Sequence, residues 1–396
     1  MSSILDGSRR VCPYCYATFV EREIRFRCTG QAGPAGERCA PTEDMVHRGQ
    51  LGHRERLPPV FSADGRRPQA QCPDCAAAST KHVCPTCHTQ LPVSFGKMPS
   101  RMIALVGARD AGKTVFMTVL IHELMNRVGA RFNAAVGGSD DHTRHRFVTD
   151  YEQPLYGESR LLAATRRTGV AREPLVFRFT TQRLGLTGRQ PHHTLLSFFD
   201  TAGEDLTTAD SVETNLRYLT NADGIILVLD PLQMAGARQL APTGTRLPAP
   251  ARPADQPIHM LERVTDLLLR GQGSARRLLR TPLAVCFTKM DALHDELANG
   301  TPLRRPQPSA AHVDESDGQD VHAQIQQLLH RWDGGHIDSH VTNHYRTSRY
   351  FGVSALGESP TSDNRVAGEA VRPYRVPDPF LWLLGTFGII PTRTRR

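Results

Sequence analysis

No stretch of this chain approaches the roughly 20 consecutive apolar residues that a membrane-spanning helix needs. The longest apolar run, Phe380 to Ile390, is broken by Gly385 and Gly388 and reads as a buried terminal helix. The N-terminus, MSSILDGSRR, has no apolar core of signal-peptide length. No export is therefore expected, and the cytoplasm is the expected compartment. Cysteine is nearly absent after the first quarter. Of nine cysteines, eight precede residue 100, and the ninth, Cys286, sits in the apolar run AVCFT as a small core residue. Clusters of like charge are missing too. The net charge of +8 and pI near 9.2 raise the question of nucleic acid, but the arginines are scattered. Residues 1–100 hold 13 Lys plus Arg and 9 Asp plus Glu, a balance of +4. Eight metal-bound thiolates (−8) and two Zn²⁺ (+4) would bring that region to about zero, so nucleic acid stays an open partner and not a favoured one. Apart from the cysteine motifs there is no internal repeat. The 396 residues, 39% hydrophobic and 22% charged, suit a globular protein of two or three domains.

The first quarter does contain metal-ligand spacing. Six of the eight cysteines form three C-P-x-C knuckles, Cys12/Cys15, Cys72/Cys75 and Cys84/Cys87, and Cys28 and Cys39 complete the set. In a chain that is not exported this reads as metal binding and not as disulfides. Eight thiols supply two closed Cys₄ zinc sites, which are structural because no position is left for water. Cys72-x₂-Cys75-x₈-Cys84-x₂-Cys87 reads as one zinc ribbon, and Cys12, Cys15, Cys28 and Cys39 as the second site. An interleaved pairing stays open. His47, His53, His82 and His88 are alternative ligands that eight thiols make unnecessary. With so small a core, the metal is expected to provide much of the folding free energy.

Residues 1–96 are thus expected to be a zinc-ribbon module and 97–396 an α/β domain. In the latter, strand-like runs (RMIALVG, LVFRFTT, TLLSFFD, GIILVLD, PLAVCFTKMD, YFGVSAL) alternate with helix-like ones (KTVFMTVLIHELMNRVG, DSVETNLRYLT, LERVTDLLLR). Val115, Val119 and Leu120 share one side of the first helix. Continuous apolar strands alternating with helices indicate a mostly parallel sheet flanked by helices. Residues 231–258, rich in Pro, Ala and Gly, and the polar stretch 300–318 read as flexible insertions.

Gly107-Ala108-Arg109-Asp110-Ala111-Gly112-Lys113-Thr114 fits G-x-x-x-x-G-K-[ST] between a strand and a helix, where a phosphate loop must stand. Glycines let the backbone wrap phosphates with N–H groups inward. The helix start adds its positive dipole end. Lys113 is expected to reach the β and γ phosphates and the Thr114 hydroxyl to coordinate Mg²⁺. Gly107, Asp110, Ala111, Gly112 and Val115 are the further expected contacts. Arg109 reads as a loop arginine facing solvent.

Three later motifs resemble those of the Ras-like GTPases. Asp200-Thr-Ala-Gly203-Glu204, at the end of TLLSFFD, resembles D-x-x-G. The resemblance implies that Asp200 holds Mg²⁺ through water and that the Gly203 N–H senses the γ-phosphate. Thr288-Lys289-Met290-Asp291 resembles the guanine motif [NT]-K-x-D. A carboxylate at Asp291 accepts from N1–H and the exocyclic amine of guanine, and adenine offers no such pair. A missed pairing of that kind is worth about 10⁴ in selectivity. Ser354-Ala355-Leu356 resembles the loop that touches the guanine carbonyl. The family also needs a switch threonine on Mg²⁺. Thr165, which follows Leu161-Leu162, is preferred, and Thr168 remains open. Glu204 stands where many members have a water-orienting glutamine. Lys113, Gly203 and Glu204 are the expected catalytic residues, with slow intrinsic hydrolysis.

The combination resembles the bacterial double-GTPase group of the Ras-like (TRAFAC) class. Its members carry zinc ribbons in front, an insertion after the third core strand and a D-P…W-L-L ending, here Asp378-Pro379-Phe380-Leu381-Trp382-Leu383-Leu384. The resemblance implies GTP/GDP, Mg²⁺ and two Zn²⁺ as cofactors and a switch acting on a protein partner. It also implies a second GTPase encoded nearby and a place in bacterial conflict systems.

Overall fold

The computed structural model describes residues 9–52, 54–93, 95–96, 101–108, 110–162, 174–185, 188–198, 217–243, 245–249, 256–272, 278–368 and 370–394. Two compact units emerge. One holds the described residues before 101, with Pro174, Leu175 and Val176 grouped to it. The other holds the rest.

The first unit is built from strands of two or three residues, far too short to stand alone in water. Arg25–Arg27 is its centre, antiparallel to Val60–Phe61 on one side and to His82–Val83 on the other. Phe26 stacks on Phe61 at 5.9 Å, and both pack against Cys28, Cys72, Cys75 and Ala77. The α-helix Met45–Leu51 starts on Asp44, whose carboxylate accepts from the N–H groups of Val46 and His47. It ends on Gly52 at φ +77°, the left-handed stop that glycine takes without strain.

The second unit has the α/β fold. Strands β1 (Ile103–Gly107), β2 (Ala134–Gly138), β3 (Leu175–Gly185), β4 (Gly188–Phe198), β5 (Gly224–Leu229), β6 (Leu283–Phe287) and β7 (Ser348–Gly352) fall in two sheets. The main sheet has the order β1-β5-β6-β7, with every pairing parallel. All of β1, β5 and β6 is buried, which is why these strands are apolar at every position and not at alternate ones.

LVFRFTT and TLLSFFD do not join that sheet. They form β3 and β4 of a three-stranded sheet with β2, which pairs antiparallel to β3. Tyr218 explains the break beside β1. Its hydroxyl accepts from Leu105 N–H at 2.7 Å and donates to Ser197 O at 3.1 Å. A phenol thus takes the place of direct ladder bonds at Leu105. Strand β2, Ala-Ala-Val-Gly-Gly, has no sequence signature of a strand.

Five α-helices of nine or more residues accompany the sheets among the described residues, α1 (Lys113–Glu123), α2 (Pro257–Gln272), α3 (Glu315–Arg331), α4 (Gly335–His344) and α5 (Asp378–Thr386), beside an eleven-residue π-helix, Phe147–Gly157. Helix α1 is buried almost all round, including Phe116 and Met117, and Val115 is only half-buried. Asp314 caps α3 by accepting from the N–H groups of Ser316 and Asp317, and acidic residues fill its first turn while His330 and Arg331 close it, both favourable to the helix dipole. The apolar run beginning at Phe380 is α5, buried from Pro379 to Leu384. Each such side chain contributes roughly 1.5–3 kcal/mol by leaving water. Of DSVETNLRYLT, only 217–220 is described, and it is helical.

Neither presumed insertion is plain loop. Asp230 caps a short turn at Pro231–Gln233, and Ala235–Leu240 is helical, with Leu232, Met234 and Ala237 buried. Gly236 lies against the Trp332 backbone so closely that a Cβ would come within 2.7 Å of the Trp332 Cα. The contact depends on the small residues that made 231–258 read as linker. In 300–318, Leu303 is buried, and Val313–Asp314 pairs with Thr392–Arg393 before α3 begins. Among the described residues no helix is long and apolar enough to cross a membrane.

Candidate functional site

The C-terminal ends of β1, β5, β6 and β7 converge, the position at which parallel sheets bind ligands. From β1 the chain runs through Ala108 and Asp110 to Gly112 and enters α1 at Lys113. Asp110 and Gly112 have φ of +58° and +76°. These left-handed residues turn the loop around its own interior. A side chain at Gly107 would meet the Val228 carbonyl at 2.9 Å, so close packing against β5 requires glycine there as well. Lys113 is 8% exposed and Thr114 and Val115 are half-buried.

Thr288 and Lys289, after β6, fasten this loop from the side. The Thr288 hydroxyl donates to Ala111 O at 2.7 Å, and Lys289 Nζ donates to Asp110 O at 2.8 Å. Lys289 Nζ also donates to Asp230 Oδ2 at 2.6 Å. Asp230, at the end of β5, is fully buried and accepts from Leu232 N–H too. In the sequence it stands only as the end of the apolar run GIILVLD. Its signal was a carboxylate closing an all-apolar strand, which burial permits only with a partner.

Asp291 and Ser354 form the other end. Ser354 Oγ donates to Asp291 Oδ1 at 2.6 Å and accepts from Gly357 N–H at 2.8 Å. Burial pushes the Asp291 carboxyl above its usual range, and the Ser354 hydroxyl pulls it back down. A carboxylate has about four acceptor positions, so most remain for a donor pair. Ala355 is buried and Leu356 half-buried beside it. A cleft of about 260 Å³ adjoins, with Met290, His294, Arg372 and Tyr374 among its lining. The donor set therefore fits a nucleotide: backbone N–H groups, an ammonium and a hydroxyl at one end, and an oriented carboxylate at the other. Arg109, Thr165, Thr168, Asp200, Gly203 and Glu204 lie outside the described residues.

The cysteines gather in two groups, but not as the spacing suggested. One is Cys12, Cys15, Cys84 and Cys87, and the other Cys28, Cys39, Cys72 and Cys75. The ribbon reading of Cys72 to Cys87 is thus overturned, and so is a Cys12 to Cys39 site. The reason is topological. Cys28 follows the central strand and Cys84 follows His82–Val83, and these strands are antiparallel. Their C-terminal ends lie at opposite ends of the sheet, so the Cys84 knuckle meets the Cys12 knuckle and the Cys72 knuckle meets Cys28.

Each C-P-x-C closes in the same way. The N–H after its second cysteine donates to the first cysteine's carbonyl at 2.9–3.0 Å, with φ of +56° to +59° at Tyr16, Ala76 and His88. Sulfurs approach at 3.6 to 3.8 Å. Four sulfurs about 2.3 Å from one tetrahedral metal lie about 3.8 Å apart, whereas a disulfide needs about 2.0 Å. Both groups therefore fit zinc. Described histidines are engaged elsewhere: His47 with Cys87 O, His82 with Arg67 O and His88 with Asp44, and His53 is outside the described residues.

Residues 101–333 match the Double-GTPase 2 family. The chain is 30% identical, over 96% of its length and 99% of the other's, to a Mycolicibacterium smegmatis protein, SaeC, named for ESX-1 scaffolding and assembly. Among solved structures, the signal recognition particle receptor SRb-GTP/SRX complex from Chaetomium thermophilum is similar at 15% identity and a TM-score of 0.30, over 67% of this chain and 95% of that one. The GDP- and phosphate-bound Ski7 GTPase-like domain of S. cerevisiae is similar at 12% identity and a TM-score of 0.30, over 73% and 51%. With well over half of the chain matched and the loop, the lysine latch and the oriented carboxylate all at strand ends within the second unit, the chain belongs to the Double-GTPase 2 family.

Proposed function

We propose that the chain is a GTP-binding switch that hydrolyses GTP and acts on a protein partner. The observation that carries this is the Ser354–Asp291 pair at one end of a site whose other end is the phosphate loop, with Thr288 and Lys289 bonded to that loop between them. Gly107, Asp110, Ala111, Gly112 and Val115 form the cradle, and Lys113 draws the phosphates to it. Thr114, with Asp200 and Thr165, would hold Mg²⁺, which when bound neutralises charge on the phosphates. Asp291 accepts from the guanine edge, Lys289 lies along the base, and Ala355 and Leu356 close over its carbonyl. Cys12, Cys15, Cys84 and Cys87 hold one structural Zn²⁺, and Cys28, Cys39, Cys72 and Cys75 the other. HPLC of nucleotide released from the purified protein, followed through time, tests the reading. GTP or GDP, with conversion of one to the other, supports it, and ATP or no nucleotide removes it.

A scaffold that binds GTP without turnover is the second reading. It draws on the name of the SaeC relative and on Glu204, and GTP persisting through the same time course would favour it. A second GTPase encoded nearby, or a place in a bacterial conflict system, rests on family resemblance alone.

Two substitutions probe the site. Asp291→Asn is expected to shift preference from GTP toward XTP, because an amide donates to the xanthine carbonyl that a carboxylate repels. Competition binding checks this, and a variant that still prefers GTP removes Asp291 from base recognition. Glu204→Gln is expected to keep GTP affinity with hydrolysis equal or faster. Glutamine both donates and accepts, so it bridges water and phosphate, whereas a carboxylate beside the γ-phosphate only accepts and adds charge. Single-turnover rates at saturating Mg²⁺ decide. A loss of about 10²–10⁴ would make Glu204 the base.

A further inference from the structure

The loop that orients Asp291 is itself held by a segment from far along the chain. Ser354 and Tyr374 face each other in an antiparallel bridge outside the main sheet. Ser354 N–H donates to Tyr374 O at 3.0 Å, Tyr374 N–H returns to Ser354 O at 2.8 Å, and Arg372 N–H donates to Leu356 O at 2.9 Å. The approach is close enough that a Cβ at Gly357 would collide with the Arg372 carbonyl. Residues 372–374 thus form a splint along Ser354-Ala355-Leu356. A single two-residue pairing does not hold itself in water, so the splint needs an anchor.

Arg375 provides one. It is 1% exposed, and its backbone is left-handed at φ +54°. Its guanidinium forks onto Asp317 of α3 at 2.7 and 3.1 Å. It also reaches Asp378, the first residue of α5, at 2.8 Å and Pro302 O at 3.3 Å. The Tyr374 hydroxyl adds a bond to Arg305 O at 2.6 Å. A buried charge knot of this kind adds little net stability over apolar packing, but the planar fork fixes direction. Its effect falls on the residue next to it, Tyr374, and so on Ser354.

We propose that Arg375 is a positioning residue for base recognition. It ties the 372–374 splint to the starts of α3 and α5 and so holds the Ser354 hydroxyl where it aims the Asp291 carboxylate at the exocyclic amine. This rests on the guanine reading of Asp291. Ser354 Oγ has a single proton, spent on Asp291, and accepts from Gly357 N–H on one of its two lone pairs, so the two bonds together fix its direction and a shift weakens the one to Asp291. The phosphate end is set by other residues. Thr288 and Lys289 hold the phosphate loop through Ala111 O, Asp110 O and Asp230, and Thr288 also reaches Leu229 O, so phosphate affinity is expected to change little when the 372–374 splint shifts.

The test uses full-length, zinc-loaded protein with Mg²⁺ and three probes: GDP, ADP, and IDP, which lacks the exocyclic amine. Wild type is expected to prefer GDP over IDP by at least about tenfold, the cost of leaving a buried acceptor unmet. Arg375→Asn suits the left-handed backbone without adding glycine's freedom. It is expected to bring that ratio within about threefold while IDP affinity stays nearly constant, since only the amine contact is lost. Asp317→Asn, which leaves Asp378 and the Pro302 carbonyl in place, is expected to lower the ratio in the same direction by less, and it decides alone if Arg375→Asn does not fold. A folded variant of either kind that keeps the wild-type ratio, even with a lower melting temperature, makes Arg375 merely structural and overturns the proposal. Wild type that binds ADP as tightly as GDP removes the guanine reading, and this inference with it.

Discussion

Lys113→Ala is expected to lower affinity for a non-hydrolysable GTP analogue by about 10²–10³-fold or more, the range of truncating one partner of a buried charge pair. The side chain is 8% exposed at the first helical position after the Gly112 turn, where the α1 dipole already favours an anion. Removing the ammonium takes away the charge that the proposed function sets against the β and γ phosphates. The fold should survive, because alanine is the best helix former. Isothermal titration beside a thermal melt checks both. An unchanged affinity in a folded variant would falsify the phosphate-loop assignment.

Zinc content should follow the interleaved pairing. Wild type is expected to hold two Zn²⁺ per chain, one for each four-cysteine group. Cys28→Ser with Cys75→Ser alters one group only and should leave one ion. Cys75→Ser with Cys84→Ser alters both and should leave none. A sequential pairing predicts the reverse, because it would put Cys28 with Cys12 and Cys75 with Cys84. Elemental analysis of protein prepared without chelator distinguishes the two. The effect on folding should be large. Structural zinc contributes an apparent ~10–16 kcal/mol at neutral pH, and the two-residue strands of the first unit have little else to hold them. Loss of both ions is expected to unfold that unit, visible as collapsed amide dispersion.

Much of the candidate site is legible in the sequence because its signals are local. The phosphate loop, Thr288 to Asp291 and Ser354 to Leu356 each sit directly after an apolar strand, and a strand end is recognisable from a few neighbouring residues. A further signal went unused. The chain has four lysines among its 48 Lys plus Arg, and two of the four are Lys113 and Lys289. Elsewhere arginine serves for surface charge, so a retained lysine marks a place where a compact ammonium is wanted. Asp230 and Arg375 were not legible. Asp230 gains its meaning from Lys289, and Arg375 from Asp317 and Asp378, which lie 59, 58 and 3 positions away. The strand-end carboxylate of Asp230 signals that a partner exists but not that it is Lys289, and Asp317 is too far along the chain for local spacing to announce it.

Sequence alone determined the family, the parallel α/β character, the buried terminal helix and the eight thiols, because each depends on residue type and short-range spacing. Tertiary structure decided three things. It gave β3 and β4 to a separate sheet with the unremarked β2, because the Tyr218 hydroxyl takes the hydrogen bond that Leu105 would otherwise offer to a neighbouring strand. It packed parts of the two polar, small-residue stretches against Trp332 and α3 surroundings, where a missing Cβ is what allows contact. And it exchanged the metal partners. Spacing brings two cysteines of one knuckle together, since a four-residue turn closes on itself. Which knuckles then share a metal depends on strand direction, and antiparallel pairing sends consecutive knuckles to opposite ends of the same small sheet.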